Sequence, residues 1–468
     1  MTTDRDKPGL YGHNTHSSVT GRRFIGMLTN IIEQMERTVL HMEPQHAVRF
    51  LNVSPAWAIE AMQRARFQRT LRLVAGRSSF YREAFRRYGI DVRRVEHPSE
   101  LGDFYTTGED LRAHGAEDFL TGKADTAFET TGTTSPLPKR VFFSQRELNE
   151  MGRLSAIGLY HLGMRREDRV LSAYDCSFWV SPAVLRMALQ YLKCFHVEAG
   201  KISPPEFYER ARDYKPNVIF GEPSWIVRLS ELARERGTWP MKLLFGGGEN
   251  IAEEARHFAE GVWRAPLYLS YGQTESFGTL GAECERKDGY HRNDLYFFFE
   301  TPDVGPDGYG ELVYTTLARD VMPLIRYRST DVTRLVDAPC ACGLFAKRIT
   351  KIRARCDEMV VCGMGNVGPW VFEEILRGIG DLSTDWQAVV RTAACRDLIE
   401  IHVEVDLGAR ENGLQHTVRE NMRERFADSW KNYQMGLYEF RVIPHARGTL
   451  RHARKMKRVI DDRQLQNP

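Results

Sequence analysis

Apolar residues recur every three or four positions in several stretches of the chain, a spacing that predicts amphipathic helices. In residues 22–42 one helical face carries Phe24, Leu28, Ile31, Met35 and Val39. Residues 56–86 continue the same pattern. Ser144 is followed three positions later by Glu147, a capping-box signature that predicts the start of another helix, and Gly163 can end it. We expect these helices to pack an apolar face against a core.

Short apolar runs alternate with helical stretches in the middle of the chain. Four runs have the length and composition of strands, and they begin at Arg169, Asn217, Met241 and Leu267. Helical patterns lie between them, from about Trp225 and over residues 252–262. Because strands that alternate with helices build parallel sheets, this part of the chain predicts a wound α/β core.

The pattern changes after about residue 357. Residues 387–391 and 398–405 alternate as the two strands of a hairpin, residues 413–433 predict one helix, and a further strand begins at Leu437. This is the pattern of a small α+β unit of about 110 residues, within the usual size range of a domain.

Two domains are therefore predicted, in the α/β class. Residues 1–356 form a large N-terminal domain of wound β-sheets flanked by helices, and residues 357–468 form a small α+β C-terminal domain. Residues 1–20 are rich in Thr, Ser, His and Gly, and we predict a disordered arm there.

Composition and charge exclude several classes of protein. Of the 468 residues 42% are hydrophobic and 27% are charged, which is typical of a soluble globular protein. The net charge of +3 predicts no nucleic-acid partner. There is no run of about 18 apolar residues and no apolar signal-peptide segment, so we expect no membrane partner. Eight cysteines in so long a chain do not make a disulfide scaffold, and the expected compartment is the cytoplasm.

Two glycine-containing segments have the composition of nucleotide-binding loops. The segment Glu129-Thr-Thr-Gly-Thr-Thr-Ser-Pro-Leu-Pro-Lys139 combines small residues, hydroxyls and a cation, which suits phosphate binding. The segment Gly246-Gly-Gly-Glu249 follows a predicted strand, and its glycines let a flat ligand such as adenine lie against the backbone. Taken singly, each segment is as well explained by an ordinary turn.

Carboxylates and a basic run supply further candidates. In Tyr271-Gly-Gln-Thr-Glu275 a Thr and a Glu follow a predicted strand, where α/β sheets bind ligands, and the Glu can hold magnesium. Asp331 can accept hydrogen bonds from both hydroxyls of a ribose, although a lone Asp is usually a turn residue. The basic run that includes Lys455 is by default a solvated charged face.

Four residues have the types and spacing of zinc ligands. Cys284 and His291 are separated by six residues, and Cys340 and Cys342 follow about fifty residues later. Three thiols and one imidazole make a complete tetrahedral set, so the predicted ion is structural. The alternative is buried free cysteines with a surface histidine.

In this order and spacing, the segments resemble the adenylate-forming superfamily of acyl-CoA synthetases, luciferases and peptide-synthetase adenylation domains. The resemblance is to the phenylacetate-CoA ligase-like branch and covers about residues 66–465, starting with Ser78-Ser-Phe-Tyr-Arg and Tyr88-Gly-Ile-Asp. Some members of that branch carry a zinc site of the Cys/His type. The chain departs from the branch at Ser135, where a glycine is usual, and over residues 174–202, which should line part of the acid pocket.

The resemblance implies a role for each matching residue. The phosphate-binding loop corresponds to Thr130, Thr131, Gly132, Thr133 and Thr134, with Lys139 behind it. The adenine contacts correspond to Gly247, Gly248, Glu249, Tyr271 and Gly272. The catalytic phosphate and magnesium contacts correspond to Thr274 and Glu275, and the ribose contact to Asp331. Asp357 corresponds to the hinge about which the small, mobile domain turns. Lys455 corresponds to the catalytic lysine of adenylation, with Lys457 as the alternative if the alignment slips.

The implied activity is ATP-dependent activation of an organic, aryl-type carboxylic acid to an acyl-adenylate, with release of pyrophosphate. Transfer to coenzyme A as co-substrate follows, which makes the chain an AMP-forming acid–thiol ligase with ATP, Mg²⁺ and structural Zn²⁺ as cofactors. An amine, a carrier-protein thiol or another small nucleophile is the alternative acceptor, and a nucleotide-binding scaffold without turnover is a third hypothesis. The sequence does not define the oligomeric state, for which a homodimer is one candidate.

Overall fold

The computed structural model describes residues 41–130, 138–356, 359–380, 382–405, 411–450 and 457–463. The predicted arm at residues 1–20 lies outside these residues, as does all but the end of the predicted helix at 22–42. Among the described residues, every helix is too short or too polar to cross a bilayer.

The described helices are α1 Pro44–Val53, α2 Ala56–Arg77, α3 Ser79–Arg87, α4 Asp110–Ala113, α5 Ala116–Phe119, α6 Gln145–His161, α7 Val180–Leu192, α8 Pro204–Tyr214, α9 Pro223–Arg236, α10 Glu253–Trp263, α11 Pro369–Leu376, α12 Glu411–Arg425 and α13 Ala427–Gln434, with a 3-10 turn at Pro98–Leu101.

The described strands are β1 Thr126–Glu129, β2 Arg140–Phe143, β3 Arg169–Ser172, β4 Phe195–Glu198, β5 Val218–Gly221, β6 Leu243–Gly247, β7 Leu267–Gln273, β8 Gly278–Ala282, β9 Tyr290–Arg292, β10 Phe297–Glu300, β11 Gly310–Thr316, β12 Tyr327–Thr333, β13 Leu335–Val336, β14 Arg348–Ile349, β15 Ala354–Arg355, β16 Val360–Cys362, β17 Gly365–Val367, β18 Leu382–Ala393, β19 Arg396–Val405, β20 Tyr438–Ala446 and β21 Val459–Asp461.

The main sheet has nine strands in the order β13-β14-β9-β8-β7-β6-β5-β3-β4. Strands β4, β3, β5, β6 and β7 are parallel, and the sheet continues from β7 through β8 and β9 as antiparallel strands. The predicted wound α/β core is confirmed, because each of the four predicted runs forms one of the parallel strands. The parallel strands end at one edge of the sheet, where α/β proteins bind ligands.

Local sequence signals define several helix ends. Ser144 and Glu147 form the complete capping box at the start of α6, as predicted. The predicted helix over 56–86 is interrupted at Ser78, whose side chain accepts a hydrogen bond from the backbone of Tyr81 and so starts α3.

The prediction of one helix over residues 413–433 is wrong, because α12 ends at Arg425 and α13 begins at Ala427. Phe426 lies between them with φ −133° and ψ 70°, outside the helical region. Its ring packs against Trp370 with centroids 5.4 Å apart. This tertiary contact between Phe426 and Trp370 accompanies the break between the two helices, and no local sequence pattern predicts it.

A second sheet has four antiparallel strands in the order β10-β11-β12-β15, and it was not predicted. Beyond it, β20, β19, β18 and β21 form a further four-stranded sheet that packs with α11 and α12 around a separate apolar core. We call the described residues from 359 to 463 the C-terminal unit. The domain boundary at 356/357 stays a prediction, because Asp357 lies outside the described residues.

The packing of α6 against α7 makes the first testable prediction. A Cβ atom at Gly152 of α6 would lie 2.4 Å from the Cβ of Met187, whereas a Cβ at Gly158 would meet nothing within 4 Å. Gly152→Ala should therefore destabilise the fold by about 1–3 kcal/mol through overpacking, and Gly158→Ala should stabilise it by up to ~1 kcal/mol through helix propensity. Thermal denaturation compares the variants, and equal midpoints would contradict this packing.

Candidate active site

One cavity of about 970 Å³ opens beyond the carboxyl ends of the parallel strands. Its lining includes every described residue that was predicted to bind ATP or to act in catalysis, namely Thr130, Lys139, Gly247, Gly248, Glu249, Tyr271, Gly272, Thr274, Glu275 and Asp331. Four predicted residues of the phosphate loop, Thr131, Gly132, Thr133 and Thr134, lie outside the described residues, as do Asp357 and Lys455. The described nucleotide-site candidates therefore share one cavity.

The two ends of the predicted phosphate loop are held together by backbone hydrogen bonds. The backbone N–H of Thr130 donates to the carbonyl of Lys139 at 3.0 Å, and the N–H of Lys139 donates to Oγ1 of Thr130 at 3.1 Å. The adjacent Glu129 and Arg140 pair across β1 and β2 with N–O contact at 2.9 Å. Thr130 and Lys139 therefore lie side by side in the lining of the cavity.

Glu275 is a buried carboxylate with two partners from other elements. The Lys139 ammonium forms an ion pair with it, and the Tyr327 hydroxyl donates to Oε1 at 2.8 Å. Burial acts to raise the pKa of Glu275, but Lys139 and Tyr327 outweigh it and hold that pKa below its usual value. Glu275 is thus ionised at neutral pH and can act as an oxygen ligand for a hard cation.

Asp331 on β12 joins the two large sheets. Its Oδ2 accepts from the Tyr271 hydroxyl at 2.6 Å and from Nε2 of Gln273 at 2.7 Å, both from β7. Its Oδ1 accepts from Nη1 of Arg355 on β15 at 2.6 Å. Tyr271 also stacks on Tyr290, with ring centroids 6.0 Å apart. The predicted segments contain Gln273 and Arg355, but their pairing with Asp331 becomes visible only in the structure.

Glycines keep the floor of the cavity open. A Cβ at Gly272 would lie 2.2 Å from the carbonyl oxygen of Gly278, so no other residue fits there without moving the backbone. Gly248 has φ +95°, a conformation that favours glycine. A Cβ at Gly247 would lie 2.9 Å from Oγ of Ser270. Ligand atoms can therefore approach the backbone at the ends of β6 and β7.

Two ionisable side chains that were not predicted, Lys201 and Glu222, line the cavity near the predicted Glu249. Lys201 and Glu222 form an ion pair in which the lysine side chain is only 9% exposed. Glu249 lies beside them, and its Oε1 accepts a hydrogen bond from Oγ of Ser224 at 2.7 Å. Burial raises the pKa of Glu249 to about 8, and the Glu222 and Asp397 carboxylates add to the rise. No local motif marks Lys201 or Glu222, because their partners are distant in sequence.

The C-terminal unit closes one side of the cavity. Its hairpin β16–β17 contributes Val360, Cys362 and Gly365 to the lining, and Lys457 also reaches it. The unit is fixed to α9 by Arg396, whose guanidinium donates to Glu231 at 2.8 and 2.6 Å. Glu231 also accepts from Nη1 of Arg228 at 2.6 Å. This arrangement places the start of the C-terminal unit against the cavity.

The four predicted zinc ligands form one cluster. The ligand atoms of Cys284, His291, Cys340 and Cys342 all lie within 4.8 Å of one another. The Sγ atoms of Cys284 and Cys340 are 3.7 Å apart, and Sγ of Cys342 is 3.3 Å from Nε2 of His291. Nδ1 of His291 is 2.7 Å from the carbonyl oxygen of Ala346, which orients the ring with Nε2 toward the thiols.

Comparisons with known proteins match two parts of the chain to family models and most of its length to named relatives. A family model described as "AMP-binding enzyme" matches residues 128–294, and one described as "AMP-binding enzyme C-terminal domain" matches residues 365–463. A phenylacetate-coenzyme A ligase of Thermus thermophilus is 28% identical over 88% of this chain and 98% of its own length. One of Pseudomonas putida is 27% identical over 74% and 82%.

A solved structure of 2-hydroxyisobutyryl-CoA ligase, in complex with 2-HIB-AMP and CoA, shares the fold. Its TM-score is 0.73 at 21% identity, over 88% of this chain and 91% of that chain. At 21% identity, this structural similarity shows a shared fold.

The raised pKa of Glu249 predicts a pH-dependent stability. Its folded-state pKa of about 8 lies above the usual 4.5, so its contribution is fully present below pH 4.5 and is lost as pH rises through 8. Glu249→Gln, which does not titrate, should therefore gain in thermal midpoint relative to the native chain as pH rises from 5 to 9. A midpoint difference that stays constant over this range would show that Glu249 is ionised throughout.

Proposed function

The chain belongs to the adenylate-forming superfamily, in its phenylacetate-CoA ligase-like branch, and we propose that it activates a carboxylic acid with ATP and transfers the acyl group to coenzyme A. The single observation that carries the proposal is the convergence of the described phosphate, adenine and ribose candidates on one cavity. The names of the relatives support coenzyme A as the acceptor.

The first half-reaction joins the acid to the α-phosphate of ATP. A carboxylate oxygen of the acid attacks the α-phosphorus, and pyrophosphate leaves. Asp331 holds the ribose hydroxyls, and the backbone at Gly247 and Gly248 faces the adenine. Lys139, at the end of the phosphate loop, lies beside Glu275 and offers positive charge to the phosphate oxygens.

Magnesium, when bound with ATP, supplies further positive charge to the phosphate oxygens. Glu275 is the residue that would hold it, since its carboxylate is ionised and lines the cavity. Lys455 is the proposed adenylation lysine and Lys457, which lines the cavity, is the alternative. In either case the ammonium would stabilise the charge that develops on the α-phosphate.

The second half-reaction needs a place for the thiol of coenzyme A. The β16–β17 hairpin of the C-terminal unit stands at the cavity in this structure, held by the contact between Arg396 and Glu231. We propose that the C-terminal unit turns about Asp357 between the two half-reactions. The nucleotide-binding scaffold without turnover is disfavoured, because Lys139, Glu275 and Asp331 all line the cavity.

The Cys/His cluster is proposed as a structural zinc site. Zinc–thiolate bonds of about 2.3 Å at tetrahedral angles separate two sulfurs by about 3.8 Å, close to the 3.7 Å between Cys284 and Cys340. Four protein ligands leave no open position, so the ion would brace the loop after β8 against residues 340–346. The eight free cysteines also support a reducing compartment, and we propose the cytoplasm.

Isotope exchange tests the proposed reaction. The protein with ATP, Mg²⁺ and a suitable acid should exchange labelled pyrophosphate into ATP, and addition of coenzyme A should yield AMP. Asp331→Asn should reduce exchange about 10–100-fold, because a hydrogen bond to a charged group contributes about 1.5–3 kcal/mol. The exposed Asp103→Asn is the matched control. Turnover that yields ADP and phosphate would refute the proposal. Product formation with an amine or a carrier protein, and not with coenzyme A, would keep the first half-reaction and change the acceptor of the second.

Metal analysis tests the zinc proposal. Protein expressed with sufficient zinc should hold one zinc ion per chain, and Cys342→Ser should lose it and lower the thermal midpoint, because metal binding is coupled to folding. Cys176→Ser, which changes an exposed thiol outside the cluster, should keep both the metal and the midpoint. Native protein without zinc would refute the site.

A further inference from the structure

The cavity continues beyond the nucleotide-binding residues, beneath α6. We call this part the α6 channel. It is lined by Leu154, Ser155, Gly158 and Leu162 along α6 and its cap, and by Val184 and Ala188 of α7. Both helices pack over β8, which forms the floor. The lining continues to His291 of the Cys/His cluster and to Phe345, so the channel leads away from the adenylate site toward the proposed zinc.

The strand register gives the channel its length. On β8, Thr279 pairs with Gly272 of the nucleotide site, and Ala282 pairs with His291. These three residue steps of extended chain span about 10 Å. On the opposite wall, the eight steps from Leu154 to Leu162 rise about 12 Å along the helix. The two estimates agree on a channel about 10–12 Å long.

Gly158 leaves this channel open. It lies in the interior of α6, where glycine is less favourable than alanine. A Cβ at this position would meet no atom within 4 Å. Gly152, on another face of the same helix, differs because a Cβ there would collide with Met187. Contact with neighbouring residues therefore does not explain the glycine at position 158. A glycine there instead keeps space free in the channel.

The walls formed by α6 and α7 are mostly apolar, and the lining also includes buried polar atoms without a hydrogen-bond partner among the described residues. Leu154, Val184 and Ala188 present hydrocarbon to the channel. Oγ of Ser155 and Oδ1 of Asn293 are buried and make no hydrogen bond with any described residue. Such a surface favours an apolar ligand and leaves a position for one hydroxyl group.

We propose that the α6 channel holds the body of the acid, so that the substrate is an extended, mostly apolar carboxylic acid reaching about 10 Å beyond its carboxyl group, with the absent side chain of Gly158 leaving room for it. This inference rests on the proposed function, since the carboxyl group has to reach the α-phosphate in the nucleotide site. A single aromatic ring would leave the part of the channel near His291 empty.

Acids of graded length test the channel, with Gly158→Leu as the central variant. Pyrophosphate exchange is measured with straight-chain acids from acetate to myristate and with phenylacetate and biphenylacetate; the two series distinguish an aliphatic from a multi-ring substrate. The native protein should prefer the longer acids. Gly158→Leu should lose about tenfold or more in kcat/KM for them, while activity with short acids and the KM for ATP stay within about threefold. Gly158→Ala should fall between the two.

Gly261→Leu is the matched control, because Gly261 is also a helical glycine with nothing within 4 Å but lies outside the cavity lining. It should leave the length preference unchanged. Binding of the fluorescent fatty acid cis-parinaric acid gives a readout that does not need ATP, and Gly158→Leu should weaken it while Gly261→Leu should not.

The outcomes separate the two proposals. If no acid supports exchange but Gly158→Leu still abolishes binding of the fluorescent acid, the proposed reaction fails and the channel stands. If the native protein prefers acetate or phenylacetate, or if Gly158→Leu changes neither length preference nor binding, the channel assignment is overturned while the reaction stands.

Discussion

The candidate site is organised around the buried carboxylate of Asp331. A buried charge must be paired and hydrogen-bonded, and the partners of Asp331 come from two strands that lie in different sheets. Tyr271 and Gln273 extend from β7 of the nine-stranded sheet, and Arg355 extends from β15 of the four-stranded sheet. The carboxylate therefore fixes the two sheets against each other, and it fixes Arg355 two residues before the predicted hinge at Asp357.

The sequence predicted the residues whose chemistry is local. A glycine-rich segment that follows a strand can be recognised in the sequence, because the strand and the glycines are neighbours along the chain. Gly247, Gly272 and Glu275 belong to such segments, and all three line the cavity. The capping box of α6 was predictable on the same ground. Tyr327 was not assigned to Glu275, because 52 residues separate them and only sheet packing brings the hydroxyl to the carboxylate. The four-stranded sheet and the break at Phe426 depend on similar long-range contacts.

The contact between Arg396 and Glu231 ties the C-terminal unit to the orientation seen here. Glu231 is shared by Arg228 of its own helix, so a turn of the unit would leave the carboxylate with one guanidinium partner. Because the carboxylate keeps a partner in either case, separation costs less than breaking an isolated buried pair. An interface of this kind can support two orientations of similar free energy, which a two-step ligase requires.

Oxygen labelling tests the acyl-adenylate most directly. A substrate acid carrying ¹⁸O at both oxygens of its carboxylate is converted in the presence of ATP and coenzyme A, and the phosphorus products are examined by mass spectrometry. If the carboxylate attacks the α-phosphorus, one ¹⁸O atom per turnover appears in AMP and none in pyrophosphate. Label in inorganic phosphate, with ADP as the nucleotide product, would mean that the γ-phosphate is attacked and would contradict the account.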